Sequence, residues 1–365
     1  DNTGQVVITS GDVMLRFDPT QVKFDKGGLT GLGCYAPPTQ AANHGVFCGV
    51  DENGRVKKFL QKPSPEQQQE MGATDHYGQS VLDIGVMNFD ADTAVRLLEI
   101  FGLRTGDNGS LELSGEMGTA VMENGLDFYR EICCAMGSEV TSSHHIEMSR
   151  GSGSTWDDVL LGRLLQGLEN IDFNLELLRH CDFIDFGTTA NIIRSGTVLI
   201  QQDRGAAKLN SCLDINNDIH GSGRILGVNS WVEGCRISSG LTLKGDNVVV
   251  GVDIDKPLKL KAGACIDVLE GNLPDGSEAW FVRCYGVNDT FKKTLSDGAA
   301  FCGMPLIDWL DIVGADADDV WDSSIDPDKR SLWDARVFPA VKNRGEYTDW
   351  LWMHDPASAG SEQYR

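Results

Sequence analysis

Three short segments carry side chains that could hold a metal ion and a phosphate. In the first, Ser10-Gly11-Asp12, a strand-like apolar run ends on a carboxylate. Open α/β sheets bind ligands at the carboxyl ends of their strands, and a carboxylate there suits Mg²⁺, which prefers oxygen ligands. An aspartate at a strand end is more often only a turn residue, so Asp12 is a candidate metal ligand only in combination with the other two segments.

The second and third segments supply a cation and a second acid. Lys62 follows the run FLQ and precedes Pro63, which would hold the lysine in place and present its ammonium group to a phosphate. The alternative is an ordinary surface lysine. Asp185 precedes Phe-Gly-Thr and could supply the second carboxylate of a metal site. Its alternative is the start of a helix, in which Thr188 or Thr189 is the N-cap of the run ANIIRSG.

The elements around these segments alternate between strand and helix patterns. Apolar, β-branched runs predict strands, and two of them separated by Asn53-Gly54 predict a β-hairpin. Helical periodicity takes over from residue 91, in ADTAVRLLEIF and again in ENGLDFYREICCAMG. This mixed order, with a strand ending in an acid at the sheet edge, predicts an α/β domain over residues 1–195.

The chain changes character after residue 196, where Gly, Asn, Asp and Val dominate. Apolar residues recur there every six positions, which is the pattern of a parallel β-helix. The repeat comprises Ile225, Trp231, Ile237, Leu243 and Val249 and, after a one-residue contraction, Ile254, Leu260 and Ile266. We therefore predict a short left-handed parallel β-helix, with hexads over about 225–266, in a second domain of residues 196–365. A β-sandwich is the alternative, and the aromatic C-terminal segment is expected to pack back onto a domain.

Composition disfavours several classes of protein. The 365 residues carry a net charge of −23, so a nucleic-acid backbone would be repelled. The sequence has no apolar run long enough for a membrane span, and its start does not resemble a signal peptide. The ten cysteines form no C-x-x-C pair, and most lie in apolar surroundings. We expect reduced core thiols in a cytoplasmic protein rather than a disulfide scaffold.

The order of the motifs resembles that of the sugar-1-phosphate nucleotidyltransferases, above all the GDP-fucose pyrophosphorylase portion of the fucokinase/GDP-fucose pyrophosphorylase family. The similarity runs through nearly the whole chain. It is carried by the strand that ends in Gly-Asp and by HGVF, FLQKPS, LDIGV, DFGTT, RCYGVNDTFK and FCGMPLIDWL. It implies a Rossmann-like nucleotidyltransferase domain, incomplete at its N-terminus, followed by the β-helix. The family's Gly-rich triphosphate-binding loop would lie upstream of the first strand, so about 60 to 100 residues are expected to be missing there.

The resemblance also implies roles for individual residues. Asp12 and Asp185 would hold Mg²⁺, although a site with a single carboxylate is an alternative. Lys62 would bind the phosphate of the sugar-1-phosphate, and together with the two acids it forms the expected catalytic set. The sugar pocket would be lined by His44, Gly45, Gln61, Asp83 and Gly85.

The implied reaction joins fucose-1-phosphate to GTP, giving GDP-fucose and pyrophosphate by direct displacement at the α-phosphate. No protein nucleophile is needed, which agrees with the lack of a Ser-His-Asp or Cys-His arrangement in the sequence. We expect the 365-residue chain to be inactive by itself. The resemblance allows a kinase domain in the parent protein. The β-helix itself is expected to be a structural element or a surface for self-association.

Three alternatives remain open. The first is a non-catalytic regulatory or binding module of a fucokinase-type protein, and the second is another sugar-1-phosphate nucleotidyltransferase. The third is an acyltransferase, because hexad β-helices often serve that chemistry; His220 is its one candidate near the β-helix. The residues do not reveal which base or which sugar is selected.

Overall fold

The computed structural model of the chain describes residues 4–106, 108–204 and 212–359. Two compact units divide between Ile184 and Asp185. The division precedes the boundary expected at residue 195, because the helix Thr189–Arg204 belongs to the second unit. Gly196 in this helix lies directly against the ring of Trp231, where a side chain would not fit.

The first unit is a mixed α/β domain. Its strands are β1 (Gln5–Thr9), β2 (Val13–Phe17), β3 (Leu29–Ala36), β4 (Gly45–Val50), β5 (Val56–Gln61), β6 (Ser80–Asp90), β7 (Leu103–Thr105), β8 (Leu111–Leu113), β9 (Phe173–Leu178) and β10 (Cys181–Asp185). Its α-helices are α1 (Pro38–Ala41), α2 (Pro65–Glu70), α3 (Ala91–Ile100), α4 (Gly115–Asn124), α5 (Ser142–Gly151) and α6 (Asp158–Leu168). Short 3₁₀ segments lie at Pro19–Gln21 and Cys133–Ala135, and a π-helical segment at Phe128–Ile132.

Strand β6 is the centre of the main sheet, whose order is β5-β4-β6-β3-β9, with β1 also paired to β6. β3 and β9 are parallel, and the other neighbours are antiparallel. Side chains alternate along the strands, so Phe47 and Phe59 pack in one cluster with the helices while Leu60 and Leu82 pack in a second. Both faces are covered, and β6 is therefore buried along most of its length. The β4–β5 hairpin predicted from the sequence is confirmed.

The edge of β6 changes partner half-way along the strand. β4 pairs with it at Val81 and Leu82, whereas β1 pairs with it from Val86 to Asp90. Residues 83–85 lie between the two partners, so the end of β1 and the start of β4 meet there. β2 leaves this sheet and pairs with β10.

The second unit begins with α7 (Thr189–Arg204) and continues as a parallel β-helix, which confirms the predicted fold. Its strands are β11 (Leu213–Ile215), β12 (Asp218–Ile219), β13 (Arg224–Leu226), β14 (Trp231–Glu233), β15 (Arg236–Ile237), β16 (Gly240–Leu243), β17 (Val248–Val250), β18 (Asp253–Ile254), β19 (Leu258–Leu260) and β20 (Ala264–Asn272). They form three parallel ladders, β11-β14-β17-β20, β12-β15-β18 and β13-β16-β19. Each coil of the helix contributes one strand to each ladder.

Most of the predicted hexad residues point into this coil. Those that are buried are Ile237, Leu243, Val249, Ile254, Leu260 and Ile266. Ile225 and Trp231 are only partly buried, and in β14 the neighbouring Val232 is the inward residue, paired with Val249. The prediction for Trp231 was wrong by one position because the coils differ in length: Trp231 pairs with Leu213 on one side and with Val248 on the other.

A hairpin and a helical tail complete the second unit. Their further elements are β21 (Glu278–Gly286), β22 (Ala300–Phe301), β23 (Met304–Pro305), α8 (Leu306–Val313), α9 (Ala317–Val320) and β24 (Ala340–Val341), with 3₁₀ segments at Pro327–Lys329, Arg344–His354 and Pro356–Ser358. The aromatic tail packs back as expected. The Trp309 indole N–H donates to the Met353 carbonyl at 3.0 Å, and Arg344 Nε donates to the Gly251 carbonyl of the β-helix at 2.8 Å.

One carboxylate joins two of the motifs that carry the resemblance. Asp289, in RCYGVNDTFK, accepts the backbone N–H groups of Gly286 and Cys302 at 2.6 Å and that of Gly303 at 3.1 Å. The last two residues belong to FCGMPLIDWL. Three N–H groups on one carboxylate hold the two loops together, so folding accounts for this pairing of motifs.

The cysteines are core residues. All ten are free thiols, and all but Cys181 and Cys212 are buried. Burial raises the pKa of most of the buried thiols, that of Cys235 to about 11, so they remain protonated and behave as small apolar side chains.

Among the residues that the structure describes, no helix combines the length and apolarity needed to span a bilayer.

Candidate active site

Asp12 lies in the exposed turn between β1 and β2, at the strand end where it was predicted. Just before it, the backbone N–H of Ser10 donates to the Gly85 carbonyl oxygen at 2.8 Å. Gly85 has a φ of +76°, and the Ser10 side chain occupies the space that a side chain at Gly85 would need. The turn that carries the Asp12 carboxylate therefore begins beside the middle of β6.

Lys62 follows the last residue of β5, and its backbone is held in the left-handed region at a φ of +49°. Few residues other than glycine adopt this conformation, and such strain persists only where the surroundings enforce it. The Lys62 N–H donates to the His44 carbonyl at 3.0 Å. On the other side, the fully buried Gln68 donates from Nε2 to the carbonyls of Pro63 and Pro38, both at 2.9 Å. The Lys62 side chain is therefore exposed, while hydrogen bonds on both sides hold its backbone in place.

Three of the predicted sugar-pocket residues are buried. The ring of Phe59 fills the space beside Gly45, and Ser10 covers Gly85. The Asp83 side chain is only 4% exposed. In this packing Gly45, Asp83 and Gly85 are part of the buried support of the sheet edge, and none of them is exposed for contact with a ligand.

His44 and Gln61 are the half-buried members of the predicted pocket. The His44 ring meets the ring of Phe183 edge-on, with centroids 4.8 Å apart. Gln61 pairs with Gly45 across the hairpin, and its carbonyl oxygen accepts a hydrogen bond from Ser152 Oγ at 3.5 Å. Its side-chain Oε1 is buried and has no hydrogen-bond partner among the described residues. An orphaned acceptor of this kind suits a ligand hydroxyl group.

Asp83 is a carboxyl group that titrates near neutral pH. Burial raises its pKa to about 7, while the Gly85 N–H, which donates to Oδ1 at 2.9 Å, opposes the rise. The same surroundings act on Tyr129, whose hydroxyl oxygen lies 3.4 Å from Ser10 Oγ. Burial raises the pKa of Tyr129, and the negative charge of Asp83 adds to the effect.

Replacing Asp83 with asparagine should change how stability depends on pH. Folded Asp83 keeps its proton up to about pH 7, whereas the unfolded chain loses it near 3.8. The folded state binds more protons in that window, so the free energy of unfolding of the wild type falls as pH rises. We expect the stability of Asp83→Asn relative to the wild type to increase by about 3 kcal/mol between pH 5 and pH 8. Urea unfolding of both chains at the two pH values measures this difference.

The exposed helix residue Glu123 provides the control for this experiment. Glu123→Gln should shift stability by less than about 0.5 kcal/mol, to the same extent at both pH values. Equal pH slopes for Asp83→Asn and the wild type would show that Asp83 is ionised throughout.

Comparison with known proteins identifies the family. A sequence model described as "Fucose pyrophosphorylase domain" matches residues 2–343. The chain belongs to this family. The resemblance inferred from the motifs is thereby confirmed.

Two individual proteins illustrate the relationship. "L-fucokinase/L-fucose-1-P guanylyltransferase" of Bacteroides fragilis is 25% identical over 352 residues, which cover 92% of this chain and 32% of that protein. The chain therefore spans about a third of the length of this relative. Among solved structures, the "mannose-1-phosphate geranyltransferase" of Thermus thermophilus matches 78% of this chain and 66% of its own, with 14% identity and a TM-score of 0.31. So distant a structural match adds nothing to the assignment.

Asp185 is the first residue of the second unit of this fucose pyrophosphorylase domain. Its carboxylate is used locally, because Oδ1 accepts the Gly187 N–H at 2.7 Å and Oδ2 accepts the Asn191 amide at 2.8 Å. Thr188 Oγ1 accepts the Asn191 N–H at 3.2 Å. These contacts are those of a helix start, so the structure favours the N-cap alternative for this segment.

His220, the candidate of the acyltransferase alternative, lies in an exposed turn of the β-helix. Its Nδ1 is 3.7 Å from Asp218 Oδ1, and both side chains are mostly open to solvent. The contact is a surface pair of low energetic weight.

A metal ion in this domain would depend mainly on Asp12. Among the described residues, no group of three or more His, Cys, Asp or Glu side chains is arranged to hold a metal. Mg²⁺ needs less than that, because it keeps water ligands and binds through one or two carboxylates together with substrate phosphates. The exposed carboxylate of Asp12 fits this smaller requirement.

Sequence reasoning missed three residues at this edge of the sheet: Gln68, Tyr129 and Arg130. The run FYREI was expected to be ordinary α-helix, but Phe128–Ile132 is π-helical, and α4 ends before it. π-Helical turns occur frequently at functional sites. Nothing in the sequence marks such a turn. The capping box of α2, between Ser64 and Gln67, is the local signal that precedes Gln68.

A separate cavity of about 380 Å³ lies at the start of β5, the end of the strand away from Lys62. Arg55 at its rim is already paired with Asp51 at 3.0 Å and with Asp172 at 3.4 Å. None of the predicted site residues lines it.

Proposed function

We propose that the protein transfers a guanylyl group from GTP to fucose-1-phosphate, forming GDP-fucose and releasing pyrophosphate. The observation that supports this most directly is the meeting of strand ends at residues 83–85 of β6. There the turn bearing Asp12 follows β1, while Lys62 follows β5 and is hydrogen-bonded to His44. Membership of the fucose pyrophosphorylase family supplies the type of reaction.

In this reaction a phosphate oxygen of fucose-1-phosphate attacks the α-phosphorus of GTP. The new P–O–P linkage forms as the bond to pyrophosphate breaks, so no covalent enzyme intermediate is needed. Lys62 binds the phosphate of the sugar substrate and offsets its charge, which is essential because both reactants are anions and the chain carries a net charge of −23. Asp12 holds Mg²⁺, which when bound neutralises charge on the triphosphate.

The choice of fucose as the sugar and guanine as the base in this proposal is based on the relative from Bacteroides fragilis. Its name contains both "L-fucokinase" and "L-fucose-1-P guanylyltransferase", and this chain matches about a third of it. We propose that a kinase activity supplies the fucose-1-phosphate that this domain consumes. Gln61 Oε1 is buried without a hydrogen-bond partner among the described residues, which supports a role in accepting a hydrogen bond from a sugar hydroxyl group.

A substrate panel tests the proposal. The full-length protein is incubated with Mg²⁺, one nucleoside triphosphate (GTP, ATP or UTP) and one sugar phosphate (fucose-1-, mannose-1- or glucose-1-phosphate), and the nucleotide sugar and pyrophosphate formed are quantified. We expect GDP-fucose to form fastest. A different best pair would correct the substrates and keep the reaction class. No nucleotide sugar from any pair would refute the transferase function.

A further inference from the structure

Arg130 is an arginine whose guanidinium is fixed before any ligand arrives. It lies in the π-helical segment Phe128–Ile132, and its Nε donates to Glu131 Oε1 at 2.6 Å. Glu131 is fully buried, and its other oxygen accepts the Asp127 N–H at 2.8 Å. A buried carboxylate with two fixed partners cannot swing away, so it sets the direction of the arginine fork.

The outer end of the same guanidinium is available. The Arg130 side chain is 18% exposed, and within the described residues its two terminal nitrogens make no hydrogen bond. Gly153 adjoins it: a side-chain carbon at this glycine would stand 3.9 Å from Arg130 Nη1, and its φ is +89°. The positive φ accounts for the glycine, and no side chain of residue 153 lies against Arg130 Nη1.

The neighbours of Arg130 belong to the edge of the sheet that carries the candidate site. On one side, Ser152, next to Gly153, contacts the carbonyl of Gln61, the residue before Lys62. On the other side, Tyr129 contacts Ser10, two residues before Asp12. The Ser152–Gly153 turn thus borders both Arg130 Nη1 and the backbone carbonyl of Gln61.

We propose that Arg130 is a phosphate-binding residue of this site, with its two terminal nitrogens donating to the oxygens of one substrate phosphate. The planar guanidinium group of arginine matches the geometry of phosphate oxygens. Because Arg130 is paired with Glu131, the two side chains together carry no net charge. Arg130 therefore supplies directed hydrogen bonds, while Lys62 supplies the net charge. The phosphate belongs either to the sugar-1-phosphate or to the nucleoside triphosphate. This inference rests on the proposed function.

The test measures binding to the 365-residue chain by calorimetry, with fucose-1-phosphate and GTP as phosphate probes, and by ligand-observed NMR with free fucose. Removing Arg130 alone would leave the buried Glu131 carboxylate without a counter-charge, so the double variant Arg130→Met/Glu131→Gln removes both charges together. We expect it to weaken binding of one phosphate probe about 10- to 100-fold and to leave fucose binding unchanged. Arg130→Lys should lose part of the affinity, because lysine lacks the fork.

Arg163, exposed and paired with Glu116, provides the control, and Arg163→Gln should bind all probes as the wild type does. Thermal unfolding shows whether each variant is folded. If the double variant does not fold, the affinity of Arg130→Lys for the phosphate probes tests the inference instead. A wild type that binds fucose-1-phosphate through Lys62, together with Arg130 variants of unchanged affinity, would overturn this inference and leave the proposed function standing. An equal loss for fucose and fucose-1-phosphate would also overturn it. A wild type that does not bind fucose-1-phosphate would overturn the proposed function and, with it, this inference.

Discussion

Replacing Lys62 with alanine in the full-length protein is expected to lower kcat/KM for the proposed formation of GDP-fucose by about 100- to 1000-fold, the loss typical when one positioned donor to a transition-state oxyanion is removed. The reason is the concentration of negative charge where two anionic substrates react, in a chain whose own net charge is −23. The side chain is exposed, and the backbone contacts with His44 and with Gln68 through Pro63 do not depend on it. Initial rates over a range of fucose-1-phosphate concentrations give the measurement.

Lys57 is a matched control on the same strand. Its ammonium group pairs with Glu139 at 2.9 Å and with no other carboxylate of the described residues, so Lys57→Ala should leave kcat/KM within about twofold of the wild type. If Lys62→Ala retains full transfer activity and changes only stability or self-association, the domain is the non-catalytic module of the first alternative.

Asp12→Asn should reduce activity by about 100-fold and raise the Mg²⁺ concentration needed for half-maximal rate, because an amide binds a divalent cation far less well than a carboxylate. Asp12 lies in an exposed turn, so the variant should unfold at nearly the same temperature as the wild type. Magnesium titrations of the initial rate, with thermal unfolding in parallel, separate a catalytic loss from a folding loss.

Asp185→Asn gives the comparison that distinguishes one carboxylate from two. Its side-chain contacts with Gly187 and Asn191 support the start of α7, so its loss should lower the unfolding temperature and leave the magnesium requirement unchanged. A shift in magnesium requirement as large as that of Asp12→Asn would instead make Asp185 a second ligand.

The hairpin, the β-helix and the core thiols could be read from the sequence because each depends on a local or periodic pattern. Asn53-Gly54 demands a tight turn, and the six-residue period requires a coil that buries one side chain per face. The positions of Asp12 and Lys62 at strand ends were predictable for the same reason. A strand and the polar residue that ends it are neighbours along the chain.

Residues whose roles depend on distant partners could not be read in this way. Gln68 matters because α2 folds back onto Pro63, and Arg130 because a π-helical turn orients it along the buried Glu131. Asp83 was predicted to line the sugar pocket, but in the folded chain it is only 4% exposed, and this burial raises its pKa to about 7.

By itself the sequence determined the family, the two kinds of architecture and the strand ends that carry an acid and a lysine. Only the tertiary structure decided which polar groups are exposed, which are consumed by local hydrogen bonds, and which keep an unpaired donor or acceptor. The physical reason is that burial and hydrogen-bond saturation are properties of the packed chain. Asp12 and Asp185 are both strand-end aspartates, and they differ only in what folds around them.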